Sequence, residues 1–243
     1  MKKKIFFCMT AVLVLLSSCI VVQANSYEVA NDESRTYPLR GFSAIEVSGA
    51  IDVEFVQSSN QSYRVKAVGS PRMLPKLQME VRSQVLTIKQ KPNPGIHSGN
   101  YHLTVYVQSP NLQSVKVSGA CDVLIRSLNT TAVRLEARGS SDIKVDRLAA
   151  NSLEVRLQGS SDARLAGKVS KAVYTCSGSS DVRAYDLKAK DVSATCSGSS
   201  DVYCFATRSV SAKASGSSDI RIKGNPIQRQ LDKSGSSDIR ILH

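Results

Sequence analysis

At 243 residues, with 42% hydrophobic side chains, no tryptophan and only 5% aromatics, the chain can fill a core only with small and β-branched groups. The formal net charge of +12 invites an anionic partner. Nucleic acid is a poor candidate, because no helix-turn-helix, zinc-finger or aromatic-basic motif is present. No helical periodicity is evident beyond residue 25, so the class is all-β.

Lys2, Lys3 and Lys4 precede an apolar run from Ile5 to about Leu16, the form of an export signal. Two endings compete. Leu16-Ser17-Ser18-Cys19 has the form of a bacterial lipobox, which would release residues 1–18 and make Cys19 the lipidated residue. Val22-Gln23-Ala24 is an ordinary small-residue cleavage site, which would release residues 1–24. A retained anchor is a weaker third option. Either cleavage sends the mature chain to the periplasm, outer membrane or surface of a Gram-negative cell, with a lipid on Cys19 its one tie to the bilayer. Loss of residues 1–24 removes three lysines and no acid, leaving +9.

Residues 25–39 read as a linker, and residues 40–243 as one domain with an irregular part, 40–117, and a regular part, 118–243. The irregular part holds strand-like runs at Val53–Gln57, Tyr63–Val68, Leu77–Lys91 and Tyr101–Val107. Pro71, Pro75, Pro92 and Pro94 interrupt them, and Ser83-Gln84 reads as a hairpin turn. This section is expected to cover one end of the regular part.

One phrase recurs, once in the irregular part and then throughout the regular part. Aligned on its aspartate, it occurs eight times, around Gly49 and Asp52, Gly119 and Asp122, Gly139 and Asp142, Gly159 and Asp162, Gly178 and Asp181, Gly198 and Asp201, Gly216 and Asp219, and Gly235 and Asp238. From Asp122 the steps are 20, 20, 19, 20, 18 and 19 residues, the signature of stacked units. Alternating apolar residues precede each corner, as in Leu153, Val155 and Leu157, or Ala172, Tyr174 and Cys176. Short apolar pairs such as Val202 and Cys204 follow it, so each unit reads as strand, corner, strand. Glycine tolerates positive φ, and Ser and Asp hydrogen-bond nearby backbone, so Gly-Ser-Ser-Asp is good corner chemistry. An antiparallel meander would also satisfy the pattern. A single-stranded parallel β-helix with coils of about 20 residues explains more, since identical corners are expected where each sits on the last.

Phe42–Val53, Leu86-Thr87-Ile88 and Leu112–Gly119, continued by the Ser-Gly-Ser-Ser-Asp coils, resemble the GIN domain family of auto-transporter adhesin head domains over about residues 40–240. The resemblance implies a β-helix-like fold in the cell envelope of Bacteroidetes-type bacteria. It brings no catalytic residues.

Stacked aspartates need something to offset their repulsion, and calcium is one candidate. A local cation is the simpler one: Lys144, Arg164, Arg183, Arg221 and Arg240 stand two residues after an aspartate, on the same strand face. The corners are therefore read as scaffold, with no metal and no cofactor. Cys176 and Cys196 occupy equivalent inward positions, where a disulfide is open to them but buried free thiols are favoured. His97, His102 and His243 are scattered. The acids repeat evenly rather than converge, and no Ser-His-Asp set is suggested, so no enzyme is expected. The last coil has no segment after it to cap its edge, which points to pairing with another subunit. The expected function is non-catalytic contact in the cell envelope, an adhesin-type module whose surface ligand is a glycan or a protein. The alternative is a periplasmic or outer-membrane binding protein for anionic glycan or lipid headgroups.

Overall fold

The computed structural model describes residues 32–91 and 102–242; the export signal with Cys19 and both cleavage sites, and also Pro92, Pro94, His97 and His243, lie outside the described residues. In chain order the strands are β1 (Glu33–Tyr37), β2 (Ala44–Gly49), β3 (Asp52–Gln57), β4 (Arg64–Gly69), β5 (Leu77–Arg82), β6 (Val85–Gln90) and β7 (Leu103–Ser109). There follow β8 (Ser114–Gly119), β9 (Asp122–Ile125), β10 (Leu128–Gly139), β11 (Asp142–Gly159), β12 (Asp162–Gly178) and β13 (Asp181–Gly198). The last four are β14 (Asp201–Ala214), β15 (Asp219–Lys223), β16 (Gln228–Lys233) and β17 (Asp238–Ile241).

From β8 onward every pairing is parallel, with bridges about 20 residues apart, and the coils form a β-solenoid of about six turns. The hairpin alternative is excluded. Each regular coil has three straight runs, separated where its register shifts or skips. In the coil beginning at Asp162 they are Ala163–Leu165, Gly167–Val169 and Lys171–Gly178. We call the faces they build walls one, two and three; the corner joins wall three to wall one of the next coil.

Inward side chains form vertical files. One runs Leu135, Val155, Tyr174, Ala194, Ala212; another runs Ala137, Leu157, Cys176, Cys196, Ala214. All of these are buried. A coil this narrow admits one large residue only where the file above it is small, and alanines follow Tyr174 at the next two levels. The absence of tryptophan follows from the same geometry.

The 70-residue interval between the first two corners is an insertion at the N-terminal end. β2 pairs with β8 on one side and β6 on the other, and β3 lies between β9 and β7, all in parallel. Two corners distant in sequence are thus adjacent in the stack, Gly49 opposite Gly119. Below them the ladder turns antiparallel: β4 pairs with β7, and β5 with β6 through Ser83 and Gln84, whose φ values of 48° and 63° suit a tight hairpin. This section covers the first end, as expected. The linker assignment to residue 39 requires correction, since β1 pairs antiparallel with β4 and belongs to the sheet.

At the other end, β16 and β17 are paired, among the described residues, on one edge only, to β14 and β15. Opposite the inward Val210, Ala212 and Ala214 stand Arg229, Leu231 and Lys233.

Candidate functional site

The corner explains why its phrase is repeated. Gly178 has φ +89°, and a Cβ there would lie 2.6 Å from the carbonyl oxygen of Gly159 in the coil before, so both the turn and the close stacking demand glycine. The second serine is buried at every regular corner, yet never orphaned. Ser200 donates across coils to the Gly178 carbonyl at 3.3 Å and within its own coil to Ser197 at 3.0 Å. Ser161, Ser180 and Ser218 repeat the pattern. In the first two coils Ile51 and Cys121 hold this position, both buried.

The aspartates form a ladder through the backbone. The amide of Asp162 donates to the carboxylate of Asp142 at 3.1 Å, Asp181 to Asp162 at 3.3 Å, Asp201 to Asp181 at 3.3 Å, and Asp219 to Asp201 at 2.9 Å. One carboxylate oxygen in each of these four coils, at Asp142, Asp162, Asp181 and Asp201, is thereby engaged with a donor. The expected basic counter-file is only partly realised. Arg183 bridges Asp181 at 3.1 Å and Asp162 at 3.6 Å; Arg221 pairs with Asp219 and Arg240 with Asp238. Lys144 instead binds Asp146 at 3.1 Å, and Arg164 forms no ion pair among the described residues. The backbone amide is the more regular partner, a signal that side-chain spacing alone could not carry. Asp52 and Asp122 are exposed. Among the described residues no group of three or more His, Cys, Asp or Glu side chains is arranged to hold a metal ion.

Cys121, Cys176, Cys196 and Cys204 are buried free thiols, with Cys176 directly opposite Cys196. The hydrogen bond to Cys196, then burial, pushes the Cys176 thiol far up; burial raises Cys204 to about 12 and lifts Cys121 as well. None is poised as a nucleophile, which requires an accessible thiolate.

The outer walls carry features that the repeat did not disclose. On wall one, the Tyr185 and Tyr203 rings meet edge to face at 5.6 Å, with Lys223 4.3 Å from the first ring and Arg221 5.6 Å from the second. Asp201 accepts from the Tyr203 hydroxyl at 3.0 Å, so this cluster is internally satisfied. At the start of wall three, Arg208 forks onto Asp191, which Ser209 also approaches at 2.7 Å; the two donors hold the Asp191 carboxyl down to about 2. On wall two a depression of about 320 Å³ is lined by Asn129, Asn151, Lys168, Ser170 and Lys190 among others. Lys168 stands directly opposite Lys188 of the next coil. Around the bend a second depression, about 590 Å³, shares Thr130 with the first and is walled by Asn111, Gln113 and the Arg134–Glu154 pair, 2.8 Å apart.

Known structures repeat this architecture. A protein of Bacteroides fragilis named as a putative adhesin superposes with TM-score 0.81 at 23% identity, over 87% of this chain and 97% of that one. One of Parabacteroides merdae, also named as a putative adhesin, gives 0.69 at 19% identity over 87% and 96%. A Parabacteroides distasonis protein named as a putative lipid binding protein gives 0.68 at 20% identity over 88% and 98%. No curated protein sequence matches. The family model described as "Putative auto-transporter adhesin, head GIN domain" matches residues 41–226, which include seven of the eight corners and both wall-two lysine levels, and the chain belongs to that family.

Proposed function

We propose that the protein is a non-catalytic adhesin-type module, exported to the bacterial envelope, which acts through the outer walls of its solenoid. The observation that carries this reading is family membership over residues 41–226, joined to a surface on which the corner aspartates recur once per coil and four of them, Asp142, Asp162, Asp181 and Asp201, accept from the amide of the next coil. Hydrolysis by paired carboxylates needs two of them flanking one bond; the corner carboxylates stand side by side in a single file on one side of the solenoid. The basic export signal preceding residue 25 supports secretion, and Leu16-Ser17-Ser18-Cys19 supports a lipid tether.

The test is adhesion. Cells with the gene deleted and cells complemented with the full-length chain are compared for attachment to glycan-coated and protein-coated surfaces. Equal attachment on every surface refutes the adhesin reading. Mass spectrometry of the mature N-terminus separates a diacylated Cys19 from a free residue after Ala24, and an intact Met1 in the cytosolic fraction overturns export.

A second reading, recognition of anionic glycan or lipid headgroups, draws on the charge of +12 and on the lysines of wall two. Attachment lost at a few tenths molar salt would favour it over a shape-driven contact.

A further inference from the structure

Lys168 and Lys188 pose a physical problem. They lie in register on adjacent coils, about 4.8 Å apart along the stack, where like charges face each other at a cost to stability. On wall one the in-register cations are compensated in part, as where Arg183 spans two aspartates and Lys144 pairs with Asp146. Lys168, Lys188 and Lys190 form no ion pair among the described residues. The carboxylate of Asp191 is already committed to Arg208 and Ser209, and Asp186, at the preceding bend, stands opposite Ala166. Repulsive positive charge is thus concentrated on a concave part of one wall. The file below Lys168 changes character to Ala149 and Asn129, opening space beside the ammonium groups.

We propose that this depression binds an acidic sugar unit of an extended anionic glycan. The inference rests on the adhesin reading above and supplies its ligand class. Ammonium groups of Lys168 and Lys190, which line the depression, and of Lys188, in register with Lys168 on the adjacent coil, would receive the carboxylate or sulfate, while the amides of Asn129 and Asn151 and the Ser170 hydroxyl face sugar hydroxyls. Continuity with the larger polar depression across Thr130 gives room for neighbouring sugar units, which an isolated headgroup would not use. A lipid surface fits less well. The exposed large apolar residues among those described, Val56, Tyr106, Ile227 and Leu231, lie on other strands or, for Ile227, in the turn before β16, and line neither depression, so nothing here would enter an acyl layer.

The full-length protein is titrated against polygalacturonate, dextran sulfate, neutral dextran and phosphatidylglycerol vesicles. A triple variant Lys168→Gln/Lys188→Gln/Lys190→Gln is compared with a charge-matched control, Lys89→Gln/Lys91→Gln/Lys213→Gln. The expected result is binding to at least one acidic polysaccharide but not to neutral dextran. The triple variant weakens it by about tenfold or more, and the control by less than about threefold. The triple variant is also expected to melt no lower than the parent, since the removed charges repel; a large drop would assign the lysines a structural role and overturn the site. Equal loss in both variants would reduce the effect to net charge, and capture of vesicles in place of polysaccharide would transfer the site to lipid. Absence of polysaccharide binding in a protein that still supports cell attachment would overturn this inference and leave the adhesin reading standing. Absence of polysaccharide binding together with equal attachment of deleted and complemented cells would overturn both.

Discussion

Tyr174 is the largest side chain sealed within the solenoid, 1% exposed, and no hydrogen-bond partner reaches its hydroxyl among the described residues. Burial drives its ionisation well above the ordinary tyrosine range, so the phenol stays neutral. Its ring is accommodated because Ala194 and Ala212 follow it in the file, while the coil beneath offers Val155. The ring therefore contributes burial and the oxygen contributes a desolvation cost of about 1–3 kcal/mol. Tyr174→Phe keeps the first and removes the second. Urea denaturation should show a higher midpoint with an unchanged slope and a gain of about 1 kcal/mol. A lower midpoint would mean that the hydroxyl has a partner inside the coil.

At the scale of the coil, ion pairs between levels matter less for their strength than for their pH signature. Asp191, held down to about 2 by Arg208 and Ser209, would titrate near 3.9 once unfolded. A carboxyl with a depressed folded value adds stability above its unfolded value and loses it as pH falls toward the folded one. The contribution is accordingly complete above about pH 5 and is lost progressively as pH falls to about 1, below both values. Arg208→Gln should flatten that decline relative to the parent in urea midpoints taken across the window; parallel pH profiles would refute the pairing. Asp238, lowered by Lys233 and Arg240 against a desolvation that raises it, acts in the same sense in both proteins. The coil itself was legible in the sequence, because alternation fixed which residues point inward and the glycine corner fixed where each level begins. What lay between corners was not. Counting from Asp162 and Asp181 places Lys168 opposite Leu187, but the irregularity between Arg164 and Ala166 slips the register by one and brings it opposite Lys188. Wall-two chemistry thus depends on a backbone bulge that side-chain patterns do not announce. Nor did spacing reveal that β2 lies between β6 and β8, since parallel partners across a long insertion are chosen by non-local packing.

For the whole molecule, the two ends of the stack are closed by different means. β4, β5 and β1 cover the first end with antiparallel strands. The last coil leaves one edge of β16 and β17 unpaired among the described residues, the condition under which sheets add further strands. The expectation of subunit pairing rested on this unpaired edge alone; the side chains at the rim bear on it as well. On wall three its inward positions are Arg229, Leu231 and Lys233. Arg229 folds onto the preceding turn, donating to the Pro226 carbonyl and the Asn225 side chain at 2.7 Å each, and Lys233 reaches Asp238 at 3.3 Å. Inward-pointing charge is one of the devices by which sheet edges resist edge-to-edge growth, because a docked strand would bury the cations against the Val210 and Ala214 files. Ile227, 87% exposed, lies outside this cover and offers too little area to drive association alone. The double variant Arg229→Val/Lys233→Val should therefore associate in a concentration-dependent manner under light scattering, while the parent keeps one mass over the same range. If the parent itself forms a stable dimer that the double variant does not alter, the interface lies on another face and the charged rim is not what limits the stack.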